Sequence, residues 1–117
     1  MKENVIVSKS FQFALNIISV YKKLKSEKEF EISKQLLRSG TSVGANIEEA
    51  QGAQSRKDFI HKLSISYKEI RESIYWIRLL TESQILNKQE HQELLNEAIE
   101  IEKILSAILI SSKQIKI

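Results

Sequence analysis

Cysteine and proline are both absent from the 117 residues, and glycine occurs three times. Without cysteine there is neither a disulfide framework nor a thiolate metal site, a pattern compatible with a reducing compartment. Without proline, and with so little glycine, long helices can run uninterrupted, and an all-α chain is expected. Long apolar runs are missing too. Val5-Ile6-Val7 is far shorter than a secretory signal core, and the densest apolar stretch, residues 99–110, is broken by Glu100, Glu102 and Lys103. These features predict a cytoplasmic protein with no membrane association.

What is present suits one soluble domain: 42% hydrophobic and 28% charged residues in a chain long enough for a single core. Three- and four-residue spacing of apolar positions predicts four helices, over about residues 8–25, 28–51, 55–83 and 87–112. Ser8 or Ser10 is expected to open the first, and Asn87, within Asn-Lys-Gln-Glu, the fourth. Ser55 is the expected cap of the third, with Asp58 three residues on. Residues 113–117 are expected to fray. Short connections between helices of similar length make them antiparallel neighbours, so the expected architecture is an up-down-up-down antiparallel four-helix bundle.

The first helix carries two apolar stripes, Phe11, Ala14, Leu15, Ile18, Tyr21 and Phe13, Ile17, Val20, Leu24, more than one partner helix needs. In the second, Leu36, Gly40, Val43, Gly44 and Ile47 share a face. A helical glycine costs about 1 kcal/mol relative to alanine, so two of them one turn apart point to close approach by another helix. The stripe keeps its phase across them, which favours one continuous helix over a break at Gly40-Thr41-Ser42. Arg38, Ser42, Ala45, Asn46 and Glu49 lie opposite. The third helix has the most regular stripe, Ile60, Leu63, Tyr67, Ile70, Ile74 and Ile77. It also has an outer seam of Ile65, Glu72, Trp76 and Leu79, where a lone bundle would leave the tryptophan largely exposed. That seam is the candidate oligomer interface.

Catalytic chemistry finds no footing. Asp58-Phe59-Ile60-His61 resembles half of a carboxylate–histidine metal pair, but it stands alone in a first helical turn, and His91 follows Lys88 at the corresponding spacing. No nucleophile elbow, phosphate-cradling glycine loop or metal motif occurs, so no catalytic, cofactor or metal residues are expected. Charge is more informative. Residues 1–28 carry six lysines against two glutamates, and residues 55–86 six lysines or arginines against four acids. Lys22, Lys23 and Lys25 fit the dipole at a helix carboxyl end, and a phosphate-binding patch is the alternative reading. Arg56 and Lys57 oppose the dipole at a helix start; a simple solvated start is the first reading, and a site where free amides and cations together hold an anion is the second. With Lys62, these residues are the candidate contacts to RNA or DNA.

The run RSGTSVGANIEEAQGAQSRKDFIHKL, followed by KEIRESIYWIRLL, resembles the four-helix-bundle family of 23S ribosomal RNA intervening-sequence proteins. It is similar also to the accessory protein of diversity-generating retroelements. Asn46 and Glu49 match the family's Asn-Ile-x-Glu motif, and Ser55 and Phe59 its Ser-x-x-x-Phe continuation. The resemblance implies a bacterial bundle assembled as a ring-like homopentamer, without established catalytic activity. In the retroelement members it also implies contact with nucleic acid and a protein partner. Ala50 stands where many members have glycine and Ala53 where many have arginine, which weakens any shared anion site at this turn. Two readings follow: an oligomer binding structured RNA or DNA, or an oligomeric scaffold for a protein partner.

Overall fold

The computed structural model describes residues 5–89 and 91–114, and among them the regular elements are four helices: α1 (Val5–Ser26), α2 (Glu31–Gln51), α3 (Arg56–Glu82) and α4 (Gln92–Gln114). Each helix packs on its neighbour in sequence and α4 closes back on α1, while the backbones of the diagonal pairs, α1 with α3 and α2 with α4, stay apart. The result is an antiparallel four-helix bundle, 49 × 24 × 20 Å.

Helices α1 and α3 each bury one residue per alternating step of three and four. In α1 these are Ile6, Ser10, Phe13, Ile17, Val20 and Leu24; in α3, Leu63, Ser66, Ile70, Ser73, Ile77 and Leu80. A repeat of about 3.5 keeps one seam facing the partner along the whole helix, the geometry of slightly supercoiled bundles. Of the two apolar stripes on α1, the one through Phe13 faces the core, whereas Phe11, Leu15 and Ile18 remain exposed.

Helix α2 is continuous through both glycines. A Cβ at Gly40 would lie 2.8 Å from Cγ1 of Ile17, and one at Gly44 would lie 3.3 Å from the main-chain oxygen of Ser10. The two helices therefore touch where α2 has no side chains. The other flank of α2 meets α3 through hydroxyls: Ser66 donates to the Val43 carbonyl at 2.8 Å, and Ser39 and Ser73 Oγ are 2.8 Å apart. Ser73 also donates to the Glu69 carbonyl at 2.9 Å, which leaves its oxygen to accept from Ser39. Among the described residues no buried side-chain polar atom lacks a partner.

The connections account for the differences in helix ends. Val5 is already helical, and Ser10, rather than capping α1, is buried and donates back to the Val7 carbonyl. Lys28 has φ 67°, and the Glu29 amide reaches back to the Leu24 carbonyl at 2.9 Å, so the chain reverses there instead of starting α2. The Glu29 carboxylate then accepts from the amides of Ile32 and Ser33, satisfying α2's first turn from outside it. The same reversal recurs at Gln84, φ 68°, with the Ile85 amide on the Leu80 carbonyl. Leu86 is buried in the connection that follows, and α4 begins at Gln92 rather than Asn87. Glu90 and residues 115–117, which belong to the expected cap and frayed tail, lie outside the described residues.

The glycine contacts can be tested through a sign. Alanine in a helix interior is better than glycine by about 1 kcal/mol where space is free, so Gly40→Ala should lose stability despite that gain. Gly44→Leu should cost about 1–3 kcal/mol or more by overpacking. Gly52→Ala, with only the Glu49 carbonyl 3.9 Å from its Cβ position, should be neutral. Urea midpoints measure all three, and a Gly44→Leu midpoint at or above the parent's would reject the close packing.

Candidate nucleic-acid interface

Leu24 is buried at the end of α1, which turns its neighbours Lys22, Lys23 and Lys25 outward, all exposed. Lys23 lines a cleft of about 620 Å³ with Glu27, Glu82, Asn87 and Lys88, where α1 meets the α3–α4 connection. Carboxylates and ammonium groups share this cleft, so it is not an anion cage. Arg56 and Lys57 are exposed in the first turn of α3, beside Ser55, whose hydroxyl accepts from the Asp58 amide at 3.0 Å. Helices α1 and α3 run the same way, so the end of one and the start of the other lie at opposite ends of the bundle. The two cationic sets thus form no common patch within one subunit.

Lys62 differs from the other candidates. It is half-buried, and its ammonium group donates to Glu49 of α2 at 2.8 Å. That hydrogen bond, with the Glu49 charge, raises the lysine's pKa above its ordinary value. Its charge is engaged inside the subunit, whereas Lys22, Lys25, Arg56 and Lys57 form no ion pair among the described residues.

Two of the motif residues, Glu49 and Ser55, hold the α2–α3 corner together. Asn46 donates to the Ser42 carbonyl one turn back in its own helix, Glu49 receives Lys62, Ser55 caps α3, and Phe59 packs on the core. None of them leaves a buried side-chain polar atom without a partner.

The outer seam of α3 is more polar than its apolar members suggest. Arg38 of α2 donates to both Glu69 and Glu72, and the Trp76 indole N–H donates to Glu72 at 3.0 Å. Trp76 is half-buried against the core and meets the Tyr75 ring edge-on, centroids 5.0 Å apart. The expectation of a largely exposed tryptophan is therefore corrected. Helix α2 supplies Arg38 to hold Glu72, the carboxylate anchors the indole, and Tyr75 takes the outward position. Ile65 is half-buried as well, and Leu79 is exposed. Partial burial of Glu72 disfavours its charge, but hydrogen bonds from Trp76 and Arg38 outweigh this and hold the carboxyl below its ordinary pKa. Arg38 is correspondingly raised, chiefly by its hydrogen bond to Glu72.

Among the described residues no group of three or more His, Cys, Asp or Glu is placed to hold a metal ion, and no helix is long and apolar enough to cross a membrane. The sequence profile of the 23S rRNA-intervening sequence proteins matches residues 2–107. A crystal structure of a protein of unknown function, from the S23 ribosomal protein family of Bacteroides thetaiotaomicron, is 47% identical and superposes with a TM-score of 0.87. The match covers 90% of this chain and 98% of that one. No curated protein matches the chain.

A carboxyl whose pKa is depressed by folding contributes stability above the ordinary carboxylate range and loses it as pH falls through the lower folded value. Glu72→Gln should therefore narrow the gap between urea midpoints at neutral pH and at about pH 3, which lies below the ordinary carboxylate value. An unchanged gap would show that Glu72 carries none of the acid sensitivity.

Proposed function

The chain belongs to the 23S rRNA-intervening sequence protein family, and from that premise we propose that it works without catalysis, as a cytoplasmic homopentamer that binds RNA or DNA along the phosphate backbone. The observation that carries this reading is the exposure of Lys22 and Lys25 at one end of the bundle and of Arg56 and Lys57 at the other, none of them in an ion pair among the described residues.

One subunit offers few phosphate contacts, and each contact is weakened by salt because binding works by releasing counterions. Symmetric assembly repeats every cationic end, and a polymer reaching several copies gains avidity without any new contact. Structured RNA suits this arrangement, since a folded strand presents many phosphates without demanding base readout. The shallow mixed-charge clefts and engaged motif residues give no basis for a reaction. Apolar outer faces support the oligomeric part of the reading, and they are also what a scaffold for a protein partner would need.

Fluorescence anisotropy with a labelled RNA hairpin and a DNA duplex, titrated over salt, tests the proposal. Binding should weaken linearly in log–log form as salt rises. Arg56→Gln with Lys57→Gln, and separately Lys22, Lys23 and Lys25 to Gln, should be compared with the parent. The set that touches phosphate should weaken binding across sequences and flatten its salt dependence, with light scattering still giving several times 13.5 kDa. No association with either nucleic acid at low salt would replace this reading with the scaffold.

A further inference from the structure

We infer that the outermost face of α3 is a track for an unpaired strand of RNA, along which cations hold phosphates and Tyr75 stacks on a base. The inference deepens the nucleic-acid reading above and rests on it.

Lys57, His61, Lys68, Arg71, Tyr75 and Arg78 are exposed and recur in steps of three, four and seven, which puts them on one face of the helix. At about 1.5 Å per residue the row runs for about 32 Å. Charges of opposite sign are segregated around it. Every exposed charged side chain of α3 from Arg56 to Arg78 is basic, while Asp58, Glu69 and Glu72 are half-buried. Glu69 and Glu72 turn toward α2, where Arg38 donates to both, and Asp58 lends its charge to Lys62. Lys57, Lys68 and Arg78 form no ion pair among the described residues. Arg71 reaches Glu102 of α4 at 3.7 Å with 65% of its side chain exposed, a loose pair that a phosphate can replace at little cost.

Aromatic rings are interleaved with these cations. Tyr75 lies one turn from both Arg71 and Arg78 and is 56% exposed, with the Trp76 ring edge-on at 5.0 Å. Glu72 fixes the indole, so the tyrosine is braced before any ligand arrives. Beside it, Tyr75, Arg78, Leu79 and Glu82 line a shallow recess of about 160 Å³. The Glu82 carboxylate repels a phosphate and accepts from a base N–H, so the recess takes a base, and the phosphates on either side fall to Arg71 and Arg78. Two turns before Tyr75, Arg71 lies over the Tyr67 ring at 5.8 Å, and Tyr67, Ser64, Leu109 and Ile110 line a second recess, of about 300 Å³, against α4. The two tyrosines are about 12 Å apart along the helix, the span of a few nucleotides.

The combination selects the ligand. Cations alone suit any polyanion, but an acidic polypeptide would leave the tyrosine unused, and a duplex keeps the faces of its bases inside the stack. A single strand offers phosphates and free base faces together, and a positive path with aromatic platforms holds such strands without reading their sequence. Loops and bulges of folded RNA are where unpaired bases are displayed. The row starts beside Arg56 and Lys57, so it carries the cationic end of α3 along the side of the bundle. Glu72 and Trp76 lie on its α2 edge and Arg71 on its α4 edge, so a subunit contact at Trp76 leaves the row open toward α4.

The test uses the full chain with three labelled probes: an unstructured RNA strand, the same strand annealed to its complement, and a DNA strand of the same sequence. Tyr75→Ala should weaken binding of the RNA strand about tenfold, the loss of one stacked base, and leave the duplex unaffected. Tyr75→Phe, which keeps the ring face, should bind as the parent does. Changing Lys68, Arg71 and Arg78 together to Gln should weaken binding and flatten its salt dependence. Trp76, the single tryptophan, gives a local readout, since its emission should change when the strand binds and stay constant if contact is confined to the ends of the bundle. No binding of any probe at low salt removes the nucleic-acid reading and this inference with it. Binding that survives the Lys68, Arg71 and Arg78 changes but is lost with Arg56 and Lys57 leaves that reading standing and overturns the track. Equal losses on strand and duplex in Tyr75→Ala would overturn the stack, and a strong preference for the DNA strand would overturn the assignment to RNA. Competition by polyglutamate as effective as that by RNA would make the face a dock for acidic protein instead. A lower mass by light scattering in these variants, with helical circular dichroism intact, would place the row in a subunit contact and overturn the inference.

Discussion

The contact between α1 and α2 at Gly40 and Gly44 sets the dimensions on which the remaining packing depends. With no Cβ at either position, Ile17 seats over one glycine and the main chain at Ser10 rests against the other. Drawing α1 in at these points turns the Phe13–Leu24 seam onto the core and leaves the Phe11–Ile18 stripe outside. It also determines which flank of α2 is left for α3. That flank is joined through Ser39, Ser66 and Ser73, whose hydroxyls satisfy one another and nearby carbonyls. A seam of small side chains brings backbones together, and its hydroxyls specify register, because a displaced hydroxyl would be left buried without a partner.

The outside of the same α2–α3 pair repeats the theme with charge. Arg38, Glu69, Glu72 and Trp76 form one connected set, and Lys62 with Glu49 forms another nearer the corner. Isolated surface ion pairs are worth little, commonly about 0–1 kcal/mol. A shared carboxylate that also orients an indole does more, since it fixes which face of Trp76 packs on the core and leaves Tyr75 outermost. Two of the four motif residues, Glu49 and Ser55, prove to be corner-makers.

Exposed apolar side chains and the candidate cations occupy different parts of one bundle. Phe11, Leu15 and Ile18 of α1 and Tyr75 and Leu79 of α3 lie along its sides, and Lys22, Lys25, Arg56 and Lys57 lie at its ends. The separation follows from up-down-up-down topology, which places the end of α1 and the start of α3 at opposite poles.

Much of this was legible along the chain, because periodicity and capping are local. The four helices, the unbroken helix through the glycines, the close approach they require and the Ser55 cap all follow from spacing and residue type. Other features needed three dimensions. Both α1 stripes satisfy the same periodicity, and only the position of α2 decides that Phe13 is inside and Phe11 outside. Serine reads as a surface or capping residue until a facing carbonyl or hydroxyl is known, so the buried hydroxyls were hidden except as silent members of a three-four repeat. The reversals at Lys28 and Gln84 use left-handed backbone without glycine, leaving no compositional mark. Pairings such as Lys62 with Glu49 and Arg38 with Glu72 join residues far apart in sequence. Local chemistry specified which segments are helical, and tertiary packing alone decided where the chain reverses, which faces are covered and which charges are spent internally.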